Sequence, residues 1–187
     1  MQKLERIRNN IVLVGPMGCG KTTVGKLLAR ILNWEFIDTD QRIVEQTGLE
    51  IPMIFQEKGE QGFRQLEKEV ISECSQMHQV VIATGGGIVI DQENRRVLKE
   101  NGLVYYLKTS PSILSQRVGC GKGRPLLYGK DPQTVFKQIL KEREDFYQQA
   151  DVILETDELT QQQVAEEIIM ESRRRGILSL DDGFERL

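Results

Sequence analysis

The sequence predicts an α/β fold, a parallel sheet with helices on both faces, and three observations predict it. Short continuous apolar runs recur, IVLV at Ile11–Val14, VVIA at Val80–Ala83 and LVYYL at Leu103–Leu107, as in strands buried on both faces. Val24, Leu27, Leu28, Ile31 and Leu32 recur at i, i+3, i+4, i+7 and i+8, which is one face of a helix. Strand and helix signals then alternate along the chain, which implies right-handed βαβ units around one core. A chain of 187 residues fits a single domain of this kind.

The elements follow in order. The first strand, Ile11–Val14, runs into a glycine-rich turn and then the helix just described. A second short strand, about Glu35–Ile37, leads into Asp38-Thr39-Asp40, and helical stretches are expected around Asp40–Gln46 and Gly62–Ser75. The third strand, Val80–Ala83, runs into Gly85-Gly86-Gly87. Asp91 reads as the N-cap of a helix reaching about Glu100, with Asn101-Gly102 closing it. After the fourth strand, Leu103–Leu107, Ser110-Pro111 is a cap-plus-N1 pair. Residues 118–130 hold four glycines and a proline and read as a mobile loop. Asp131-Pro132 starts another helix, with Val135, Ile139, Phe146 and Ala150 expected on its inner side. Val152–Leu154 makes a fifth strand, and Thr160 with Gln163 forms a capping box for a last helix to about Ser172. The tail Arg173–Leu187 has weak periodicity and is expected to be loosely attached.

Composition bounds the function. The net charge of −3 and a pI near 5.4 exclude a globally basic nucleic-acid binder. No apolar run approaches the length that spans a bilayer, and Met1–Arg8 lacks the apolar stretch of a secretory signal. Cys19, Cys74 and Cys120 are odd in number, without CxxC spacing, and read as reduced thiols in a cytoplasmic protein with neither disulfide framework nor zinc site.

One motif carries chemistry by itself. Gly15-Pro16-Met17-Gly18-Cys19-Gly20-Lys21-Thr22 satisfies GxxxxGK[ST] between a strand and a helix. Its glycines let backbone N–H groups curl around phosphate oxygens, and the helix N-terminus adds its dipole. Lys21 can reach the β- and γ-phosphates and the Thr22 hydroxyl can ligate Mg²⁺. No NKxD guanine motif is present, and the Val80–Ala83 strand ends without a carboxylate. The carboxylates for a metal and an acceptor hydroxyl are therefore Asp38 and Asp40, which read equally as an N-cap pair. Arg64 and Glu67, at i and i+3, can pair on one helix face or stand as a solvated surface pair. Gly85, Gly86 and Gly87 permit close approach of a ligand. Residues 108–143 hold eight Lys/Arg against two acids, a local charge of +6, and a flexible cationic loop in that window has the character of a lid over phosphates.

Together, Gly15–Ala29, the DTD at Asp38–Asp40, FRxxE at Phe63–Glu67, TGGG at Thr84–Gly87, RPLL at Arg124–Leu127 and RxxxY at Arg143–Tyr147 resemble the shikimate kinase family, in its order and spacing over about residues 10–170. The resemblance implies a three-layer P-loop kinase fold of the nucleoside-monophosphate-kinase type, with a five-stranded parallel sheet and a mobile lid. It implies a single kinase domain over residues 1–172, with the shikimate-binding region at about 38–70, the lid at about 117–130, and a tail of unassigned role over 173–187. The implied reaction is transfer of the ATP γ-phosphoryl group to the 3-hydroxyl of shikimate, in aromatic amino-acid biosynthesis, by a cytoplasmic monomer that binds no nucleic acid or membrane.

Carried over by residue, the resemblance places ATP on Gly18, Cys19, Gly20, Lys21, Thr22 and Thr23, with Arg117 on adenine and Arg124 on phosphate. Mg²⁺ falls to Thr22 and, through water, Asp38. Asp40 holds the acceptor hydroxyls and is the base; Arg64, oriented by Glu67, joins Gly85, Gly86, Gly87 and Arg143 in binding shikimate, and Lys21, Asp40 and Arg124 are the catalytic set. Two departures stand out: Cys19 replaces the usual Ala or Ser, and no proline lies near Glu155–Gln163 to face adenine. A gluconate-kinase-like or nucleotide kinase, or a silent nucleotide-binding adaptor, are the alternatives on the same scaffold.

Overall fold

A computed structural model describes residues 9–118 and 131–179. Five parallel strands, β1 (Asn10–Val14), β2 (Glu35–Asp38), β3 (Val80–Ala83), β4 (Gly102–Lys108) and β5 (Val152–Glu155), form one sheet in the order β2-β3-β1-β4-β5. The apolar runs occupy its centre, where β1 and β3 are buried along their whole length. The edge strand β5 alternates between half-buried and exposed residues instead, because nothing pairs with its outer side among the described residues.

Helices α1 (Lys21–Leu32), α2 (Thr39–Thr47), α3 (Ile51–Ser75), α4 (Gln92–Asn101), α5 (Pro111–Val118), α6 (Pro132–Tyr147) and α7 (Gln161–Arg174) cover the sheet. Two apolar clusters result. Ile11, Leu13 and Tyr105 pack with α1 and α7, and Val12, Val14 and Tyr106 pack with α2, α3 and α4. Strand alternation thus sends neighbouring residues of β1 into opposite cores.

The structure amends three sequence expectations. α3 starts at Ile51, eleven residues before the expected Gly62, and is broken at Gly59 (φ 66°, ψ −175°). Pro52 sits in its first turn, where a missing N–H costs nothing. Gly102 closes α4 as expected, its N–H donating to the Leu98 carbonyl, and also opens β4, while Asp91 caps the other end of α4, accepting from the Glu93 and Asn94 amides. The inner face of α6 carries Phe136, Ile139 and Tyr147, while Val135 and Phe146 are only half-buried. The described part of the tail is anchored: α7 runs to Arg174 and Leu178 is 5% exposed within the core. The expected lid residues 119–130, with Arg124 and Cys120, and tail residues 180–187 lie outside the described residues.

Strand order reverses around β1 and β3, and crevices in such sheets open at the carboxyl ends of strands flanking that point. Buried Asn10 fastens these two strands, donating from Nδ2 to the Met77 carbonyl (2.8 Å) and accepting the Val80 amide (3.2 Å). Asn10→Ala leaves both backbone groups without that partner, at about 1–3 kcal/mol for unsatisfied buried groups. We expect a lower urea midpoint and unchanged activity per folded molecule; an unchanged midpoint would contradict the account.

Candidate active site

The loop after β1 turns through three glycines at positive φ, Gly15 (144°), Gly18 (83°) and Gly20 (103°), a conformation open to glycine and strained for other residues. Gly20 is the N-cap of α1 and supplies no side-chain bond, and no acidic residue occupies the first turn. The amides at this helix start therefore face outward with a positive dipole end, as an anion site requires. Lys21, 8% exposed, donates to the carbonyls of Gly15 (2.8 Å) and Pro16 (2.9 Å), and its ammonium lies 3.6 Å from the Cys19 sulfur. Cys19 and Cys74 are buried free thiols. The end of α5 reaches the same loop, with Arg117 Nη1 3.5 Å from the Cys19 carbonyl.

Asp38 and Asp40 divide their duties. Asp38 caps α2, its Oδ1 accepting the amides of Asp40 (3.1 Å) and Gln41 (3.4 Å), while its Oδ2 accepts from the Thr22 hydroxyl (2.7 Å). The capping reading therefore holds for Asp38 together with its placement beside the phosphate loop. Asp40 caps nothing. It lies in the first turn of α2, where the helix dipole favours a carboxylate, and its side chain turns toward β3. Burial pushes its carboxyl above the ordinary aspartate pKa, the charge of Asp38 adds to this, and Lys21 and Arg64 pull against it.

The glycine run after β3 explains itself by contact. A Cβ on Gly85 would stand 2.3 Å from Asp40 Oδ1, and one on Gly87 would stand 2.7 Å from Arg64 Nη1. The Gly85 amide donates to the buried Thr39 hydroxyl at 2.9 Å, a partner that neither spacing nor motif marked in the sequence. Close approach is needed by the site's own side chains.

Arg64 rises from the second part of α3. Its Nη1 donates to Glu67 Oε2 (2.7 Å) and its Nη2 to Glu60 Oε1 (3.2 Å). Glu67 is 1% exposed, so this is a buried carboxylate steering a guanidinium rather than a solvated surface pair. Burial pushes the Glu67 pKa up, and its bond to Arg64 opposes the shift. From the opposite side, α6 brings Arg143 Nη1 to the Gly86 carbonyl at 3.3 Å and the Tyr147 hydroxyl to the same oxygen at 2.5 Å. Arg143 Nε is buried without a hydrogen-bond partner. Tyr147 is the residue that sequence reasoning quoted within a motif but gave no role; its i+4 spacing from Arg143 was the available signal.

The cationic window does not converge as a unit. Arg117 and Arg143 reach the loops described, whereas Lys108 pairs with Glu155 (2.6 Å) and lines an open groove with Lys137 and Lys141. Lys122, Arg124 and Lys130 lie outside the described residues.

A family model for shikimate kinase matches residues 17–173. The chain belongs to the shikimate kinase family. It is 48% identical over 165 residues to the enzyme of Hahella chejuensis, covering 88% of this chain and 86% of that one. It is 46% identical to that of Nitrosococcus oceani, covering 88% and 87%. The shikimate kinase of Acinetobacter baumannii, solved in complex with shikimate, matches with a TM-score of 0.84 at 41% identity, over 89% of this chain and 93% of that one. A gluconokinase from Sinorhizobium meliloti matches at 16% identity and a TM-score of 0.61, which speaks to the fold alone. The activity is that of the family, ATP-dependent phosphorylation of the 3-hydroxyl of shikimate.

The contact geometry yields a sharp test. Gly85→Ala forces its methyl into the Asp40 carboxylate, so that either the carboxylate or the loop must move. We expect kcat to fall at least about 10²-fold, the scale of losing a positioned proton acceptor, with ATP affinity within twofold of wild type. Near-normal kcat would show that Asp40 need not stay where it is.

Proposed function

We propose that two half-sites at the strand ends divide the reaction, the loop after β1 taking ATP and the surface formed by Asp40, Arg64, Gly85–Gly87 and Arg143 taking shikimate. The observation that carries this reading is the convergence of Asp40 on Gly85 and Arg64 on Gly87, two glycines of one loop, with Lys21 close enough to act on the Asp40 charge.

In this reading the amides from Gly18 to Thr23 and the start of α1 cradle the β- and γ-phosphates. Lys21 exchanges its loop carbonyls for phosphate oxygens. Arg117, held beside the Cys19 carbonyl, lies along the nucleotide, and Arg124 adds a further cation. The shikimate carboxylate is recognised by arginine forks, whose planar donors match a carboxylate; Arg64 is oriented by Glu67, and the buried unpartnered Nε of Arg143 supports its share. Asp40 accepts a hydrogen bond from the 3-hydroxyl. As the new O–P bond forms, the hydroxyl proton passes to the Asp40 carboxylate, and ADP leaves with the electron pair of the broken bond. Phosphoryl transfer asks for little beyond such positioning and charge stabilisation.

The residues present also fit a magnesium ion. Thr22 Oγ1 and Asp38 Oδ2, 2.7 Å apart, are hard oxygen donors, and Mg²⁺ prefers one or two such groups together with phosphates and water. No group of three or more His, Cys, Asp or Glu able to hold a metal stands among the described residues. When bound, the ion would neutralise charge on the β- and γ-phosphate oxygens. No helix among the described residues is long and apolar enough to cross a membrane, which supports, with the composition, a cytoplasmic enzyme; we further propose that it acts as a monomer, with residues 1–172 as its one kinase domain.

A coupled ADP assay across shikimate, quinate, gluconate and nucleoside monophosphates tests the reading. Turnover should require both ATP and shikimate, and ATP binding without turnover on any acceptor would overturn it. Asp40→Asn should cut kcat by about 10²–10⁴, the range for a positioned base, and leave ATP affinity within twofold. It should also melt at or above the wild-type temperature at neutral pH. A carboxyl whose pKa is raised on folding binds more protons in the native state, so its contribution is fully present below the unfolded pKa and is lost as pH rises through the folded one.

A further inference from the structure

The Gly86 carbonyl is the meeting point of two side chains from one helix. Arg143 and Tyr147 lie one turn apart on α6 and therefore on the same face, and both donate to this oxygen, at 3.3 Å and 2.5 Å. A carbonyl oxygen offers two lone pairs, and here each is taken by α6. Tyr147 itself is held rigidly. It is 0% exposed, and its ring stacks on Tyr106 with centroids 5.0 Å apart. The Tyr106 hydroxyl turns away to Glu144 Oε2 at 2.8 Å, so the two phenols of the stack have separate acceptors.

Three consecutive glycines have little intrinsic preference for one backbone path, yet this run must lie within contact of both Asp40 and Arg64. The peptide unit joining Gly86 to Gly87 is planar and trans, so fixing its carbonyl toward α6 fixes the Gly87 N–H away from α6. The phenol does this with a short bond, while the longer Arg143 contact uses only one of that guanidinium's donors and leaves its buried Nε unpartnered.

We propose that Tyr147 is a positioning residue for the acceptor, its hydroxyl pinning the Gly86–Gly87 peptide so that the glycine run keeps its place against Asp40 and Arg64 and Arg143 is left able to take a carboxylate. It acts through Gly86 and Arg143 and does not touch the reacting atoms. Burial pushes its phenol above the ordinary tyrosine pKa, which keeps the hydroxyl a donor throughout the working pH range. The inference rests on the assignment of Gly86 and Arg143 to the acceptor half-site.

Tyr147→Phe removes the hydroxyl and keeps the ring on Tyr106. We expect the KM for shikimate to rise about tenfold, the scale of one hydrogen bond lost at a binding site, with kcat, the KM for ATP and the melting temperature close to wild type. Tyr106→Phe removes the other hydroxyl of the stack and should leave the shikimate KM within twofold. Arg143→Met, measured alongside, separates the two levels of the account. If Arg143→Met raises the shikimate KM and Tyr147→Phe does not, Tyr147 has no positioning role and the acceptor assignment stands. If neither changes it, the acceptor assignment fails and the proposal with it. A Tyr147→Phe enzyme whose KM rises equally for ATP, or which only melts earlier, would reduce Tyr147 to a packing residue and overturn the proposal.

Discussion

The carboxylate of Asp40 is turned inward from the first turn of α2 against Gly85, half-buried and with Asp38 two residues away. Such a charge is costly to bury, and the surrounding architecture offsets that cost only in part. Lys21 is the first residue of α1 and Arg64 comes from α3, and both attract the carboxylate, yet its pKa remains raised. The strand order brings these elements together, since β2 and β1 flank β3 on either side and the three strand ends deliver Asp40, Lys21 and the glycine run to one point. Proteins keep such uncompensated groups where function needs them.

Several other features follow from that constraint. Gly85 must lack a side chain because Asp40 occupies its place, and Gly87 because Arg64 does. Arg64 in turn needs a fixed direction, which the buried Glu67 provides. A run of glycines pressed by side chains on one flank needs a hold on the other, and α6 provides it through two donors on the Gly86 carbonyl. The helix following the expected lid thereby holds the loop against which Asp40 and Arg64 stand.

Much of this was legible before any coordinates. The runs IVLV, VVIA and LVYYL read as buried strands, and the phosphate loop, DTD, FRxxE and TGGG motifs marked the residues that meet at the site. The first part of α3 was hidden because Met53, Phe55, Glu57 and Lys58 are exposed and leave no apolar period, while Pro52 and Gly59 read as breakers. Ile139 was placed correctly on the buried face of α6, but Val135 and Phe146 were expected where Phe136 and Tyr147 stand, because that helix serves both cores, Phe136 and Ile139 in one and Tyr147 in the other. The reason for the glycines was half legible: close approach was expected, but by a ligand rather than by Asp40 and Arg64. The contact between Tyr147 and Gly86 spans 61 residues of chain, and no local pattern encodes such a distance.

The central claim is that Asp40 is held as a partly buried carboxylate whose charge its neighbours do not fully compensate. Titration of the aspartate side-chain carboxyl carbons by ¹³C NMR in the ligand-free enzyme, with Asp40 assigned by its loss in Asp40→Asn, reads this directly. The account predicts a midpoint above the ordinary aspartate value, moving down in Asp38→Asn as the neighbouring negative charge is removed. A midpoint at or below the ordinary value, unmoved by Asp38→Asn, would contradict it.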